Sequence, residues 1–474
     1  MQVVALAVQL YQLGLEVGAD LGEDSSECFD SLAIKAAVAA FGDKDQMDMH
    51  CRSAVSTVSK VLDFVHGPDN NESVERRQAF RFQLMPNGEQ QRQMRRFAGC
   101  ARYVYNKALA LKKERYEKKE QLTRFQLDKQ LVRWKQETPW LREAPAHALQ
   151  QAILDLDRAY TNFFERRAKF PMFHKKGVRD SFRESDQKCI KLEQGNNRIQ
   201  LPKIGWVRYR NSREVLGEIR SVTVSQSAGQ WYVSVNTFEQ VEPPRHASTA
   251  VVGIDWGVAQ FITPSEGRPV DRLSPLKNFL PKLKKLQRRL ARKQKFSNNW
   301  KKAKAKVTQL YQRIANTRKH FLHKVSSDIS KNHAVVIVED LQVKNMSASA
   351  AGTREQPGRR VKAKSGLNRS ILDASPFELR RQLEYKTRWR GGMLVAVPPM
   401  NTSRQCPECG HTSEDNRKRQ AQFTCVECGF SANADWVAAM NIKEAGLALL
   451  ACGDTSPEVR ASAQEPTEGL HAAT

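Results

Sequence analysis

The stretch CPECGHTSEDNRKRQAQFTCVECGFSANAD, residues 406–435, contains two CxxC pairs separated by fifteen residues, and an aspartate follows the last cysteine by seven. The spacing C-x2-C-x15-C-x2-C suits a tetrahedral zinc site, because each short turn presents two thiolates to one ion. A glycine follows each pair, at Gly410 and Gly429, and suits the tight turn behind a ligating cysteine. The sequence therefore predicts a zinc ribbon directly before Asp435. Its predicted ligands are Cys406, Cys409, Cys425 and Cys428.

The length and the cysteine usage limit the class of protein. The chain has 474 residues, enough for two to four domains. No apolar run approaches the roughly 18–20 residues of a membrane span, and the apolar start at residues 1–15 lacks a basic region and a cleavage site. The other five cysteines show no pairing rhythm, which fits a reducing compartment. We therefore expect a cytoplasmic protein with no membrane partner.

The charge is large and unevenly distributed. The formal net charge is +26. Residues 1–75 contain 13 acidic and 4 basic side chains, a net charge of −9, so the remainder has 73 basic and 38 acidic side chains, a net charge of +35. Residues 272–324 contain 18 lysines or arginines and no acid. Such a surplus indicates a polyanionic partner, and we expect nucleic acid.

After the acidic segment the pattern changes to that of a mixed domain. Alternation of Phe80, Phe82 and Leu84 predicts a half-buried strand. Three amphipathic helices follow, over apolar stripes in residues 94–111, 127–134 and 146–163, and we interpret these stripes as core. Short apolar runs between residues 199 and 235 predict a small β unit, which ends before the hinge Pro243-Pro244.

Residues 170–182, FPMFHKKGVRDSF, interleave aromatic and basic side chains. Such a segment can stack bases while its lysines pair with phosphates, and we predict nucleic-acid contacts at Lys175 and Lys176. A loop anchored by its aromatic residues is the alternative.

The third region opens with an apolar strand, VVGIDWG at residues 251–257. Two basic helices follow, at residues 279–295 and 300–332; each has one apolar seam, so they form either a rod along a duplex backbone or a solvated hairpin. A mobile loop is expected at residues 347–368, then a helix at 376–389 and a strand at 393–397. The predicted nucleic-acid contacts on the hairpin are Lys284, Lys285, Arg288, Arg289, Arg292, Lys301 and Lys302.

Three carboxylates stand at the ends of predicted elements. Asp255 and Glu339 end buried strands, and Asp435 begins a helix. Each alone is ordinary, since acids often cap helices or mark emerging strands. Together they match a two-metal site for phosphodiester hydrolysis, in which rigid oxygen ligands hold Mg²⁺. Asp340 follows Glu339 in the strand, faces the other way and is not counted as a ligand.

Several segments resemble the OrfB/TnpB family of insertion-sequence proteins, compact RNA-guided DNA nucleases related to type V CRISPR effectors. They are VGIDWGV at Asp255, VIVEDLQVKNM at Glu339, LNRSILDASPFELRRQLEYK, and the block TSRQCPECG, FTCVECGFSANAD and AAMNI. The segment beginning RRQAFRFQLMPNGEQQ at Arg76 resembles the family's amino-terminal part. The resemblance covers residues 76–453.

This resemblance implies a multidomain α/β fold: a RuvC-like nuclease domain of ribonuclease-H type with an inserted zinc ribbon, and an amino-terminal β-barrel-like wedge with a helical recognition insert. The implied regions are an acidic extension of unknown role at 1–75, the wedge and recognition region at 76–245, a nuclease part at 246–400 with the basic hairpin 275–332, the zinc ribbon at 401–430, a final helix at 431–453 and a disordered tail at 454–474.

The resemblance also implies the activity: a transposon-encoded endonuclease that cuts target DNA beside a short motif, in the prokaryotic cytoplasm at the nucleoid. Asp255, Glu339 and Asp435 would be its catalytic acids and bind Mg²⁺, the cysteines would bind structural Zn²⁺, and guide RNA and double-stranded DNA would be its partners. The chain departs from the family pattern in three places. Residues 1–75 have no counterpart, Trp256 stands where a smaller aliphatic residue is usual, and Val437 stands where asparagine is usual. Three alternatives are a weakened RNA-guided DNA-binding protein or repressor, a transposase accessory protein, and a transposase in its own right.

Overall fold

The computed structural model describes residues 73–178 and 180–452, so the predictions for residues 1–72 and for the tail lie outside the described part. The chain divides into two compact units. In the part of the chain that the structure describes, the amino-terminal unit contains Ser73–Glu242 and Arg289–Gln309, and the carboxy-terminal unit contains Pro243–Arg288 and residues 310–452. Within the described residues, no helix is both long and apolar enough to cross a membrane.

An antiparallel seven-stranded sheet forms the centre of the amino-terminal unit, in the order β2-β6-β7-β1-β5-β4-β3. The strands are β1 (Val74–Met85), β2 (Ser181–Glu184), β3 (Lys191–Glu193), β4 (Arg198–Leu201), β5 (Gly205–Tyr209), β6 (Glu218–Ser227) and β7 (Gln230–Val241). Among the described residues no pairing joins the edge strands β2 and β3, so hydrogen bonds do not close the expected barrel. Strand β1 starts two residues before the predicted boundary at Arg76.

Three helices are inserted between β1 and β2. They are α1 (Gly88–Glu117), α2 (Arg124–Glu137) and α3 (Ala146–Phe164). Asn87 and Thr123 begin α1 and α2 with capping boxes, because each side chain accepts a backbone N–H that the first turn leaves unpaired. The predicted apolar stripes pack with Phe80, Phe82 and Leu84 of β1 in one core, which confirms their interpretation as core.

The segment between α3 and β2 differs in part from its prediction. Residues 165–178 form irregular structure with exposed side chains apart from Pro171. Phe182, the last aromatic of the predicted interleaved stretch, instead lies in β2, where it is 4% exposed and packs edge-on against Phe97. Phe182 is therefore a core residue, because the strand alternation turns it inward.

A four-stranded sheet forms the centre of the carboxy-terminal unit. Strands β8 (Val251–Trp256), β10 (Val335–Glu339) and β11 (Met393–Val397) are parallel, and β9 (Ile262–Pro264) is antiparallel to β8. The strand order is β11-β10-β8-β9. Parallel strands are buried on both faces, which explains the unbroken apolar run VVIV before Glu339.

Five longer helices lie before, between or after the strands β10 and β11 in the chain. They are α4 (Pro275–Ala291), α5 (Asn298–Asn332), α7 (Val361–Ala374), α8 (Pro376–Trp389) and α9 (Ala434–Cys452). A single helical turn, α6 (Val343–Met346), follows β10. Val336 and Val338 pack against apolar residues of α5 and α8 on one face of the sheet. Val335 and Ile337 pack against α9 on the other face. The unit thus has helices on both sides of a mixed sheet.

Two glycines allow α9 to lie close to the sheet. A Cβ atom on Gly253 would lie 2.3 Å from the carbonyl oxygen of Ala439, and one on Gly446 would lie 2.4 Å from Ile337 Cγ2. Neither distance is possible for a real side chain, so both positions require glycine. This close contact sets the position of the α9 start relative to the end of β8.

Two predicted boundaries were wrong. The first basic helix runs from Pro275 to Ala291 rather than over residues 279–295, because Pro281 is accommodated inside the helix and the chain turns before Phe296, which has a φ of +70°. The expected mobile loop at 347–368 is irregular only to Arg360, where α7 begins. The predicted helix at 376–389 and strand at 393–397 are confirmed.

Candidate active site and zinc ribbon

The fold places the three predicted acids at neighbouring element ends. The parallel register pairs Ile254 of β8 with Val338 of β10, so Asp255 and Glu339 come next to each other along the two strands. Asp435 is the second residue of α9, which packs against β8. All three side chains are partly buried. The carboxyl ends of two parallel strands and one helix start therefore form a single acidic site.

The electrostatics of this site reflect how close the acids are. Burial and then the negative charges of Glu339 and Asp435 raise the pKa of Asp255 to about 7, against an opposing effect of Arg417. A bound cation would stabilise the ionised form of Asp255, because this carboxylate is buried beside two others. The donor set, all oxygen, fits a hard divalent ion.

The spread of the acids differs from that of the cysteines. Of the residues that the structure describes, the four cysteines alone bring three or more potential ligand atoms within 4.8 Å of one another. The three carboxylates do not all come that close together.

Asp435 is oriented from two sides. Asn433 Oδ1 accepts hydrogen bonds from the backbone N–H groups of Asp435 and Trp436, and so caps the start of α9. Arg417, between the two cysteine pairs, donates from Nη2 to Asp435 Oδ1 at 3.0 Å. The indole N–H of Trp436 donates to the backbone oxygen of Ser265 just beyond β9. The ribbon therefore holds the carboxylate of Asp435, and the helix cap holds its backbone.

Glu339 is oriented by the segment that leads into the ribbon. Thr402 donates from Oγ1 to Glu339 Oε1 at 2.6 Å. Asn441 of α9, which is buried, donates from Nδ2 to the backbone oxygens of Thr402 and Gln405 at 2.7 and 2.8 Å. The asparagine of the AAMNI segment thus fixes the threonine that holds Glu339.

The neighbours of these acids have separate partners. Asp340 forms an ion pair with Arg380 of α8, as expected for a residue facing away from Glu339. Trp256 packs against the core between the sheet, α5 and α8, and lines a small hollow of about 60 Å³ beside Glu339 with Phe377 and Arg380. The large residue at position 256 is therefore accommodated by packing rather than by displacing Asp255 from its strand.

The four cysteines have the geometry of a tetrahedral thiolate site. The Sγ atoms of Cys406 and Cys428 lie 3.6 Å apart, as do those of Cys409 and Cys425. Four sulfurs at about 2.3 Å from a central zinc ion would be about 3.8 Å apart, so the quartet fits zinc closely. Gly410 and Gly429 have φ values of +75° and +76°, which only glycine adopts readily.

Inside the ribbon, one buried side chain connects the two cysteine pairs. Asn416 donates to the backbone oxygens of Arg404 and His411 and accepts from the backbone N–H of Val426. Arg417 is the next residue. The four-cysteine ribbon and the partner of Asp435 are thus parts of one hydrogen-bonded unit.

Val437 belongs to the ribbon core. Its side chain is fully buried in a cluster with Cys406, Phe423, Cys425 and Ala434. Side chains two positions apart in an α-helix point about 200° apart around the helix axis. Val437 therefore points away from the carboxylate of Asp435. The substitution of the usual asparagine removes no group that faces the acids.

The predicted nucleic-acid contacts are all solvent-exposed. On the hairpin these are Lys284, Lys285, Arg288, Arg289, Arg292, Lys301 and Lys302, and in the irregular segment after α3 they are Lys175 and Lys176. A cation that contacts phosphate must be exposed, but a cation that contacts only solvent is exposed as well. Exposure therefore does not distinguish the two roles.

Four site residues were not predicted from the sequence: Thr402, Arg417, Asn433 and Asn441. Arg417 lies in the run RKR at 417–419, where nothing distinguishes one cation from its neighbours. Asn433 stands two residues before Asp435 in SANAD, and asparagine before a helix is a known cap signal. That signal was available, whereas the contacts of Arg417 and Asn441 depend on tertiary structure.

Comparison with known proteins defines the family. Residues 222–350 match a family model, OrfB_IS605, described as "Probable transposase". The chain is 51% identical over 402 residues to "Putative RNA-guided DNA endonuclease InsQ" of Escherichia coli strain K12, a match that covers 84% of this chain and all of that protein.

The chain belongs to the OrfB/TnpB family.

A second OrfB/TnpB relative, "Putative RNA-guided DNA endonuclease" of Streptomyces pristinaespiralis, is 34% identical over 386 residues, covering 80% of this chain and 91% of the relative. The "Cryo-EM structure of the Cas12f1-sgRNA-target DNA complex" aligns with a TM-score of 0.45 at 11% identity, over 78% of this chain and 99% of that one. This score is too low to assign the fold.

Two further family models cover shorter parts of the OrfB/TnpB chain. Residues 377–442 match "Cas12f1-like, TNB domain", a range that includes the four cysteines, Arg417 and Asp435. Residues 76–121 match a model described as "Helix-turn-helix domain". In this structure that segment contains most of β1 and the single long helix α1, so it is a strand and a helix rather than two helices.

Proposed function

We propose that this OrfB/TnpB protein is a transposon-encoded, RNA-guided DNA endonuclease that hydrolyses a phosphodiester bond of target DNA beside a short motif. The observation that carries the proposal is the acidic site. Asp255, Glu339 and Asp435 meet at the ends of β8 and β10 and the start of α9, and burial together with the charges of the other two acids raises the pKa of Asp255. Curated relatives of the chain are named as RNA-guided DNA endonucleases.

In this proposal the three acids hold divalent cations, Mg²⁺ being the natural choice for carboxylate oxygens. Bound Mg²⁺ would activate the attacking water and stabilise the leaving oxygen. The chain's own contribution is to position the ligands: Thr402 holds Glu339, and Arg417 and the cap at Asn433 hold Asp435. Rigid placement matters because a displacement of about 1 Å can cost roughly a hundredfold in rate.

The ribbon would hold one structural Zn²⁺ at the four cysteines. Closed four-thiolate sites stabilise folding and leave no position for substrate. In this chain the ribbon also presents Arg417 to Asp435 through the hydrogen-bonded unit at Asn416. Zinc would thus act on cleavage indirectly, by keeping the ribbon folded.

The regional assignments extend the proposal to nucleic acid. Residues 246–400 and 431–453 would form a RuvC-like nuclease of ribonuclease-H type, supported by the strand order β11-β10-β8-β9 with helices on both faces. Residues 76–245 would form the wedge and recognition region that holds guide RNA. The exposed cations of the hairpin 275–332 would contact the phosphates of the guide–target duplex, while base pairing supplies specificity.

A weakened, binding-only protein is the second candidate, motivated by Trp256 and Val437. The packing of both side chains disfavours it, because neither takes the place of a group that contacts the acids. All three acids are present.

The test is guided cleavage by the full chain purified with the RNA that it carries. The bound RNA is sequenced, and DNA that matches it beside varied flanking sequences is added with Mg²⁺. We expect cuts only in matching DNA with one flanking motif. Binding without any cut would favour the repressor hypothesis, and strand transfer without RNA would favour a transposase.

A further inference from the structure

The last residue of α3 and the segment after this helix expose several large apolar side chains. Phe164, Phe170, Met172 and Phe173, which we call the aromatic strip, are 71%, 41%, 78% and 48% exposed. Single exposed apolar residues are common, but four within ten residues of one surface segment are unusual for a protein surface without a partner. The strip lies within the amino-terminal unit, far along the chain from the acidic site.

The irregular part of the strip, from Phe170 to Phe173, is held in a defined position by the residue that follows it. Asn106 of α1 makes two hydrogen bonds to the backbone of His174: its Nδ2 donates to the carbonyl oxygen at 3.0 Å, and its Oδ1 accepts from the N–H at 2.8 Å. The His174 ring stacks on Tyr105 at 3.8 Å with an 8° interplanar angle. These contacts fix the segment to a buried helix and reduce the entropy lost when a ligand binds.

Neighbouring side chains contact the rings of Phe170 and Phe173. Tyr160 and Phe163 meet Phe170 edge-on, with centroids 5.6 and 5.2 Å away. The ammonium group of Lys113 lies 5.2 Å from the centroid of Phe170 and 4.8 Å from that of Phe173. Both rings are thus braced while a large part of each stays open to solvent.

Positive charge surrounds the strip. Residues 165–176 contain five exposed cations and one acid, Glu165, which pairs with Arg167. The cations are Arg166, Arg167, Lys169, Lys175 and Lys176. Open aromatic rings among exposed cations form the combination that binds single-stranded nucleic acid, since the rings stack on bases and the cations pair with phosphates.

We propose that the aromatic strip is a stacking platform for unpaired nucleotides of RNA. Duplex DNA keeps its bases stacked inside, whereas single-stranded RNA offers free base faces to aromatic side chains. A guide RNA has such bases before it meets its target. This proposal rests on the proposed function in one respect: guide RNA is taken as the ligand that binds the aromatic strip.

The experiment measures binding of fluorescent probes to the full chain without added Mg²⁺. The probes are an oligouridylate of roughly 12 nucleotides, an oligothymidylate and an RNA duplex of the same length. The double variant Phe170→Ala/Phe173→Ala should bind oligouridylate at least about tenfold more weakly. Its salt dependence should stay unchanged, because no phosphate contact is removed. Binding of the duplex should not change.

Two comparisons make the result specific. Lys175→Ala/Lys176→Ala should instead lower the slope of log affinity against log salt, by about 0.7 per lost phosphate contact. Phe125→Ala, which removes an aromatic 77% exposed on α2, should bind like the unaltered protein. Phe170→Tyr/Phe173→Tyr should restore binding, since tyrosine stacks equally well.

Unchanged oligouridylate binding in the Phe170→Ala/Phe173→Ala variant would overturn the proposal, as would an equal loss for the RNA duplex. A larger loss with oligothymidylate would assign the strip to displaced DNA instead. The assay involves no cleavage, so a failure of guided cleavage would remove the proposed function without altering this result.

Discussion

Nη2 of Arg417 lies 3.0 Å from Oδ1 of Asp435, and both side chains are 23% exposed. Arg417 belongs to the ribbon that contains the four cysteines, and Asp435 lies in the first turn of α9. This contact joins the ribbon to the acidic site.

Replacing Arg417 by alanine should lower the rate of guided cleavage at least about tenfold, because a partly buried charge-assisted hydrogen bond is lost from Asp435. Binding of guide and target should be unaffected. The measurement is single-turnover cleavage at saturating protein. Arg404→Ala removes a more exposed ion pair with Glu414 in the same ribbon and serves as the control. Equal losses in both variants would assign the effect to the ribbon as a whole.

Cys406→Ser should reduce bound zinc to well below one ion per chain and lower thermal stability and cleavage together, because the closed thiolate site stabilises the ribbon fold. Zinc content by mass spectrometry, the melting temperature and the cleavage rate are measured on the same sample. Cys189→Ser, at an exposed cysteine outside the ribbon, should leave all three unchanged. Full activity in a zinc-free variant would contradict the role of the ribbon.

Gly253→Ala should destabilise the carboxy-terminal unit by about 1–3 kcal/mol, since the added methyl group collides with the backbone of α9. Urea unfolding provides the free energy. The control is Gly366→Ala within α7, where nothing lies within 4 Å of the new methyl group. It should stabilise the protein by about 0.5–1 kcal/mol, because alanine is the better helix former. Similar values for the two variants would refute the close packing of α9.

Val437→Asn should lower stability by about 1–3 kcal/mol and should not raise the cleavage rate, because a polar group enters the apolar ribbon core. Val426→Asn in the same ribbon, where the side chain is 55% exposed, should change stability by less than about 0.5 kcal/mol. An increase in cleavage by Val437→Asn would revive the hypothesis of a weakened nuclease.

Much of the architecture was predictable from local patterns. The alternation in β1, the apolar run before Glu339 and the helical stripes in residues 94–163 each report burial directly, and the observed elements agree with them. The positions of the three acids followed from the rule that strand ends and helix starts display their side chains at a sheet edge. These features depend on short-range periodicity.

The remaining features depend on contacts between distant parts of the chain. The glycine of VVGIDWG indicates a close approach, but its partner Ala439 lies far along the sequence. The inward turn of Phe182 required knowing where β2 begins. Arg417 could not be chosen among adjacent cations before the ribbon was folded. The direction of the Val437 side chain, by contrast, follows from helix geometry alone, since residues two positions apart point to opposite sides of a helix.

We assign the proposed cleavage to Asp255, Glu339 and Asp435, and not to the acids beside them. Glu339→Gln and Asp340→Asn test this assignment, because they remove the charge of two neighbouring residues with nearly unchanged shape. Both variants are compared in guided cleavage of matching DNA with Mg²⁺. We expect Glu339→Gln to abolish cleavage while target binding persists, and Asp340→Asn to cut nearly as fast as the unaltered protein, since Asp340 pairs with Arg380. Persistent cleavage by Glu339→Gln, or equal losses in both variants, would contradict the assignment.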